Sequence, residues 1–296
     1  MPRSVVLIVN HRKPRATEAL AEIRALIELH GELAAELEAD KNEPVPTNVG
    51  VDLVIALGGD GTILSAAGRC LQLGCPLLGV NMGKVGFMAG YELESFRASA
   101  AELLGDGELT THRVRALHAD VVGSDGTPRC SAVALNEFVV TAGPPYRMIT
   151  LDVRVDQAPG PSVSGDGLIV STPLGSTAYN VSAGGPIIAP GVDASILTPI
   201  AAHSLSFRPI VVPSASEIEI TIKSVNAFED AGTTLMVDGQ VHDRLHEGDV
   251  MRVRAGEEIV EFVTDPSVSY WQTLIGKMHW ASAPSSLGSK GITEYR

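Results

Sequence analysis

The chain has 296 residues, 45% of them hydrophobic and 19% charged, which suits one large or two medium domains with a real core. A formal charge of -13 speaks against a nucleic-acid backbone or an anionic membrane as main partner, while leaving room for a phosphorylated ligand held by a local basic group or a helix N-terminus. No apolar run approaches the ~18 residues of a membrane span. Val5–Val9 is too short for a signal-peptide core, and Cys70, Cys75 and Cys130 form no CxxC pair, so the expectation is a cytoplasmic protein in a reducing compartment.

In chain order, Val5–Val9 reads as a strand and Ala16–Leu37, rich in Ala, Leu and Glu, as a helix. Leu53–Leu57 is predicted as a strand, Ile63–Leu73 as a helix, Pro76–Val80 as a strand and Leu93–Leu104 as a helix. Such alternation implies a parallel sheet covered on both faces. From about Arg113 short alternating runs take over: Leu117–Val122, Ser131–Leu135, Ile149–Val155, Leu168–Ser171, Glu217–Ile222, Met251–Arg254 and Ile259–Val263. Asp-Gly turn signals at Asp125, Asp166 and Asp238 separate them. The expected fold is an α/β domain over 1–112 with a parallel sheet, then a β-rich, sandwich-like domain over 113–267. Gln157–Ser164 reads as a loop, Tyr270–Trp280 as a closing amphipathic helix, and the tail after Ala283 as flexible.

Gly58-Gly59-Asp60-Gly61-Thr62 follows an apolar strand and opens a helix, an order that aims backbone N–H groups at an anion. Asp60 there reads either as a helix cap or as a group that holds a metal or accepts a proton. A second glycine-rich turn, Gly79 to Phe87, ends the next strand, and Phe87 reads either as a base-stacking ring or as core. Leu135-Asn136-Glu137 offers an amide and a carboxylate suited to a ribose diol, or is an exposed turn pair. Gly165 to Tyr179 is a strand, a Thr-Pro turn and a Gly-Ser-Thr helix start; Ser176 or Thr177 either caps that helix or faces a purine edge. Asp238-Gly239-Gln240 reads equally as a hairpin or as part of a site, and His203 more as a structural histidine. The first strand lacks the G-x-G-x-x-G fingerprint, Val85 replaces the Ser or Thr of a Walker loop, and no G-x-S-x-G elbow or zinc cluster is present. Redox and hydrolase chemistry therefore lose most of their support.

Taken in order from Val5 to about Trp280, these blocks resemble the NAD kinase family, in its bacterial, ATP/polyphosphate-dependent form. A GGDGT turn also occurs in lipid kinases of the diacylglycerol and sphingosine type, and the Gly165–Tyr179 block separates the two. The resemblance implies phosphorylation of NAD to NADP by ATP with Mg²⁺ or another divalent cation, a site between two domains, and a last helix (about 268–296) that returns to the first. It implies Asp60 as proton acceptor, Gly61 against the ligand, and Asn136 and Glu137 on ribose hydroxyls. Asp166 would contact the far half of the dinucleotide, while Phe87, Thr177, Ala178 and Tyr179 surround the adenine, with Asn180 and Ser182 extending that wall. Ala201, Asp238 and Gln240 would line the pocket, and Arg147 is a candidate phosphate contact. Partners implied are NAD, ATP and further copies of the chain in a homodimer or homotetramer, with no nucleic acid, no membrane and no protein-held metal. Leu174 and Ser164 depart from the family pattern and weaken contacts to ligand rather than the reaction type. The rival readings are a lipid kinase and a non-catalytic dinucleotide-binding protein.

Overall fold

A computed structural model describes residues 2–39, 41, 43–45, 50–83, 86–228, 231–278 and 280. Lys84 and Val85 of the second glycine-rich turn, and the tail expected to be flexible, lie outside the described residues. The chain divides into two compact units, Met1–His112 with Glu261–Arg296, and Arg113–Val260.

The first unit begins with β1 (Ser4–Val9), α1 (Pro14–His30), β2 (Glu32–Glu38), β3 (Leu53–Gly58), α2 (Asp60–Leu73), β4 (Leu77–Asn81), the two-residue β5 (Tyr91–Glu92) and α3 (Leu93–Leu104). The strands pair in parallel as β2-β1-β3-β4, with β5 also parallel to β4. Every residue of β3 and β4 is buried, as expected for strands covered on both faces. The core joins Leu7, Ile55 and Val80 of the sheet to Ile23 and Ile27 of α1 and to Phe96 and Leu103 of α3.

The second unit holds β6 (Thr111–Val122), β7 (Pro128–Ala134), β8 (Glu137–Thr141), β9 (Ile149–Val155), β10 (Ala158–Gly165), β11 (Gly167–Ser171), α4 (Tyr179–Ser182), β12 (Ala194–Ile200), β13 (Ile210–Pro213) and β14 (Ile218–Ser224). Then come the short ribbon β15 (Ala227–Phe228) and β16 (Ala231–Gly232), followed by β17 (Thr234–Val237), β18 (Gln240–Arg244) and β19 (Val250–Val263). Two antiparallel layers result. One runs β13-β12-β11-β8-β17-β18, and the other carries β10-β9-β14-β19 together with β6 and β7. Their inward residues form one core, in which Phe138, Leu168 and Leu235 of the first layer meet Leu151, Ile220 and Met251 of the second. The last residues of β19 belong to the first unit, where Phe262 pairs in parallel with Leu77, and α5 (Tyr270–Met278) follows in that unit.

The α/β first half and the β-rich second half agree with expectation, and three local readings do not. The helix expected over Ala16–Leu37 stops at His30, because Gly31 is extended (φ -144°, ψ -155°) and Glu32–Glu38 pairs with β1. Helix-forming composition loses there to a place at the sheet edge. Of the expected loop Gln157–Ser164, all but Gln157 is strand: Asp156 and Gln157, at φ 52° and 65°, make the hairpin turn, and β10 pairs back on β9. Pro159 and Pro161 are tolerated because β10 is an edge strand and its register shifts between Pro159 and Ser162. Met251–Arg254 and Ile259–Val263 are one strand rather than two.

Candidate active site

In the first unit β3 delivers the chain to Gly58, and α2 starts two residues later with Asp60 in its first turn. A carboxylate at that end of a helix lies in the favourable field of the helix dipole. Gly86 to Met88 lie against it. Phe87 N–H donates to Asp60 Oδ2 at 3.1 Å, and Met88 N–H to Oδ1 at 3.3 Å. Gly86 is required by this approach, since a Cβ there would overlap Oδ1 itself. Lys277 of α5 completes the group, with Nζ 3.1 Å from Asp60 Oδ2 and 4.7 Å from the centre of the Phe87 ring. The Asp60 side chain keeps 36% of its surface in solvent, and Gly61 beside it is exposed. Asp60, Gly61 and Phe87 are thus neighbours in space. Lys277, 217 residues from Asp60, escapes sequence reasoning; its only signal is a cation in the last turn of an amphipathic helix.

In the second unit the Asn136–Glu137 turn is held by Asp238, whose carboxylate accepts N–H bonds from Leu135 (2.9 Å), Asn136 (2.8 Å) and Glu137 (3.1 Å). Asp238 sits at φ 49°, in the hairpin between β17 and β18. Burial raises its pKa, against the pull of those three N–H bonds. From the other side Thr172 donates its hydroxyl to Leu135 O at 2.6 Å, and Ser171 Oγ reaches Asn136 O at 3.2 Å. Gly175 packs against Asn136 so closely that a Cβ would meet its carbonyl. Glu137 itself is only 3% exposed, and its Oε2 has no hydrogen-bond partner among the described residues. Its pKa is pushed up to about 7, first by burial and next by the negative Asp238, with the Tyr179 backbone N–H opposing. A buried, half-satisfied carboxylate with a shifted pKa makes Glu137 a candidate binding group.

The remaining expected residues divide by exposure. Tyr179, Asp166, Ser182, Ala201, Gln240 and Arg147 are exposed, and Asp166 N–H donates to the carbonyl of Ile200, the residue before Ala201, at 2.9 Å. Thr177 donates its hydroxyl to Leu174 O at 3.2 Å inside the single 3-10 turn Gly175–Thr177, and Ala178 follows that turn. Asn180 is wholly buried. Its amide donates to Ser176 O and Pro186 O and accepts from the Thr198 hydroxyl at 2.6 Å, so its polar groups are spent on holding this segment together. His203 is exposed, its backbone N–H bonded to Ser164 O.

Among the described residues no group of three or more His, Cys, Asp or Glu could hold a metal ion, and no helix is long and apolar enough to cross a membrane. A cavity of about 430 Å³ in the first unit is lined by Glu18, Glu22, Glu92 and Glu94 with Arg15 and Asn81, an acidic lining unsuited to phosphate and one that does not include Asp60.

A parallel-sheet unit with an acid in a glycine turn, joined to an antiparallel unit with a buried acid–amide pair, defines a nucleotide-binding phosphotransferase. Residues 44–109 match the ATP-NAD kinase N-terminal domain and residues 135–264 the ATP-NAD kinase C-terminal domain. An NAD kinase of Syntrophotalea carbinolica is 38% identical over 78% of this chain and 79% of its own length, and one of Rhodopirellula baltica is 32% identical over 95% and 88%. The chain belongs to the NAD kinase family. Among solved structures, an NAD kinase from Archaeoglobus fulgidus in complex with ATP superposes with a TM-score of 0.68 at 27% identity, covering 94% of this chain and 98% of that one. Yeast NADH kinase complexed with NADH shares the fold with a TM-score of 0.81 at 24% identity, covering 97% and 90%.

Proposed function

We propose that this chain transfers the γ-phosphate of ATP to the 2′-hydroxyl of the adenosine ribose of NAD, forming NADP. The observation that carries the proposal is Asp60: a part-exposed carboxylate at a helix N-terminus, fixed by two backbone N–H groups in a pair of glycine-rich turns. A ribose hydroxyl is a poor nucleophile until its proton has somewhere to go. Asp60 accepts it as the new O–P bond forms, a contribution typically worth ~10²–10⁴ in rate. The remaining acceleration comes from alignment and from N–H groups facing the phosphates.

Asn136 and Glu137 hold ribose hydroxyls, and the unpartnered Glu137 Oε2 supports this because a hydroxyl would satisfy it. In the second unit Thr177, Ala178 and Tyr179 form adenine surroundings, Asn180 braces them from within, and Ser182, Ala201, Asp166, Asp238 and Gln240 complete the dinucleotide contacts; Phe87, in the first unit, is assigned to the base as well. Arg147, exposed and basic, suits a phosphate. Gly61 lies against the ligand. The divalent cation arrives as part of the ATP complex and is held chiefly by its phosphates, as is common for magnesium. We further assign the protein to the cytoplasm and to a homo-oligomer.

The decisive experiment incubates the protein with NAD or NADH against ATP or polyphosphate, with magnesium, and reads NADP(H) in a coupled assay. Formation of NADP from NAD and ATP is the expected result. No product in any arm, or phosphorylation of diacylglycerol in a parallel arm, overturns the proposal.

A further inference from the structure

Among the described residues around Asp60, the ammonium of Lys277 has no task in the proposed reaction. A carboxylate offers about four lone-pair positions, two on each oxygen. Among the described residues, Phe87 N–H and Lys277 Nζ both use Oδ2, while Met88 N–H alone uses Oδ1. The open position is therefore on Oδ1, the oxygen that occupies the space a Gly86 side chain would fill. The ammonium does not reach Asp60 on a freely swinging stem. Its side chain is 25% exposed, and the Phe87 ring lies 4.7 Å from Nζ, so the cation is held between an aromatic face and the acid.

We propose that Lys277 is a positioning residue for the phosphoryl-transfer reaction: by occupying Asp60 Oδ2 from the last helix, it turns Oδ1 toward the alcohol as the proton acceptor. During transfer the alcohol proton passes to Oδ1, the alcohol oxygen bonds to the γ-phosphorus, and the bond from that phosphorus to the oxygen of the leaving ADP breaks. Lys277 keeps its own proton throughout. The assignment rests on Asp60 serving as the proton acceptor, and the test separates the two claims.

Steady-state kinetics of Lys277→Met, Lys277→Arg, Asp60→Asn and the double variant Asp60→Asn/Lys277→Met answer the question, with the fold checked by the fluorescence of Trp271 on the same helix. Losing one charge-assisted contact that orients the acid lowers kcat about 10- to 100-fold, with the KM values for NAD and ATP unchanged within about threefold. The Arg variant, which keeps the cation, retains at least a third of the wild-type kcat. Adding Lys277→Met to Asp60→Asn costs nothing further, because the group being oriented has lost its function. A normal kcat in Lys277→Met overturns the positioning role alone, as does a raised KM for ATP at unchanged kcat, which would make Lys277 a donor-binding group. Near-normal turnover in Asp60→Asn overturns the proton-acceptor reading and this inference with it. Should the Met variant fail to fold, Lys277→Gln carries the same comparison.

Discussion

Asp60 and Glu137 are both acids on turns beside sheet ends, one in each unit, and the two units treat them in opposite ways. Asp60 keeps about a third of its side chain in water and is bonded by two N–H groups and an ammonium. Glu137 is almost wholly buried, lies close to a second negative group and leaves one oxygen without a donor. The first arrangement fixes the orientation of the carboxylate. The second keeps a carboxyl poised near neutrality, gaining stability when a hydroxyl supplies the missing hydrogen bond. Under the proposed function, the difference amounts to a division of labour between chemistry and recognition using the same functional group.

The largest effect that tests this contrast is at Asp60. Asp60→Asn is expected to lower kcat by ~10²–10⁴ while NAD affinity, read by calorimetry, stays within about tenfold. Equal losses in both would erase the distinction between an acid for chemistry and an acid for binding. Gly86→Ala sharpens the same point, because its new methyl displaces Oδ1. The expected result is a kcat reduced at least about tenfold, against a small gain in chain stiffness that would otherwise favour Ala over Gly.

Glu137 is tested by pH. Its pKa of about 7 in the folded protein lies above the ordinary 4.5, so between those values the folded state binds the extra proton and the unfolded state does not. Stability of the ligand-free protein therefore falls as pH rises from about 4.5 to about 7, by on the order of 2–3 kcal/mol at ~1.4 kcal/mol per unit. Thermal melts across that range should show the decline in wild type and a flatter profile in Glu137→Gln. Identical profiles would remove Glu137 as its source. The smallest effect is kinetic: Glu137→Gln loses one ribose acceptor and should raise the KM for NAD about tenfold, ~1.4 kcal/mol, with kcat little changed.

Much of this was legible before any coordinates. The Asp60 turn is a local feature, since strand, glycines, acid and helix follow one another within a dozen residues, and local order is what a sequence displays. Gly165 to Tyr179 is legible for the same reason. Other features depend on pairing across the chain. Asp238 meets Glu137 from 101 residues away, and Lys277 meets Asp60 from 217, and neither partnership leaves a spacing to read. Glu32–Glu38 misleads because its Ala, Leu and Glu favour a helix, while the open edge beside β1 makes it a strand. Asn180 sits within a legible block, yet its complete burial appears only when Ser176, Pro186 and Thr198 are brought around it.

The return of β19 and α5 to the first unit bears on how the protein is made. Leu77 cannot gain its parallel neighbour Phe262, nor Asp60 its ammonium, until the whole second unit between them has been synthesised. Synthesis at roughly 5–20 residues per second puts an interval of about ten seconds or more between the emergence of the acid and the arrival of its cation. A nascent chain halted anywhere in the second unit thus carries the glycine turns but not their last partner, which ties completion of this centre to synthesis of α5.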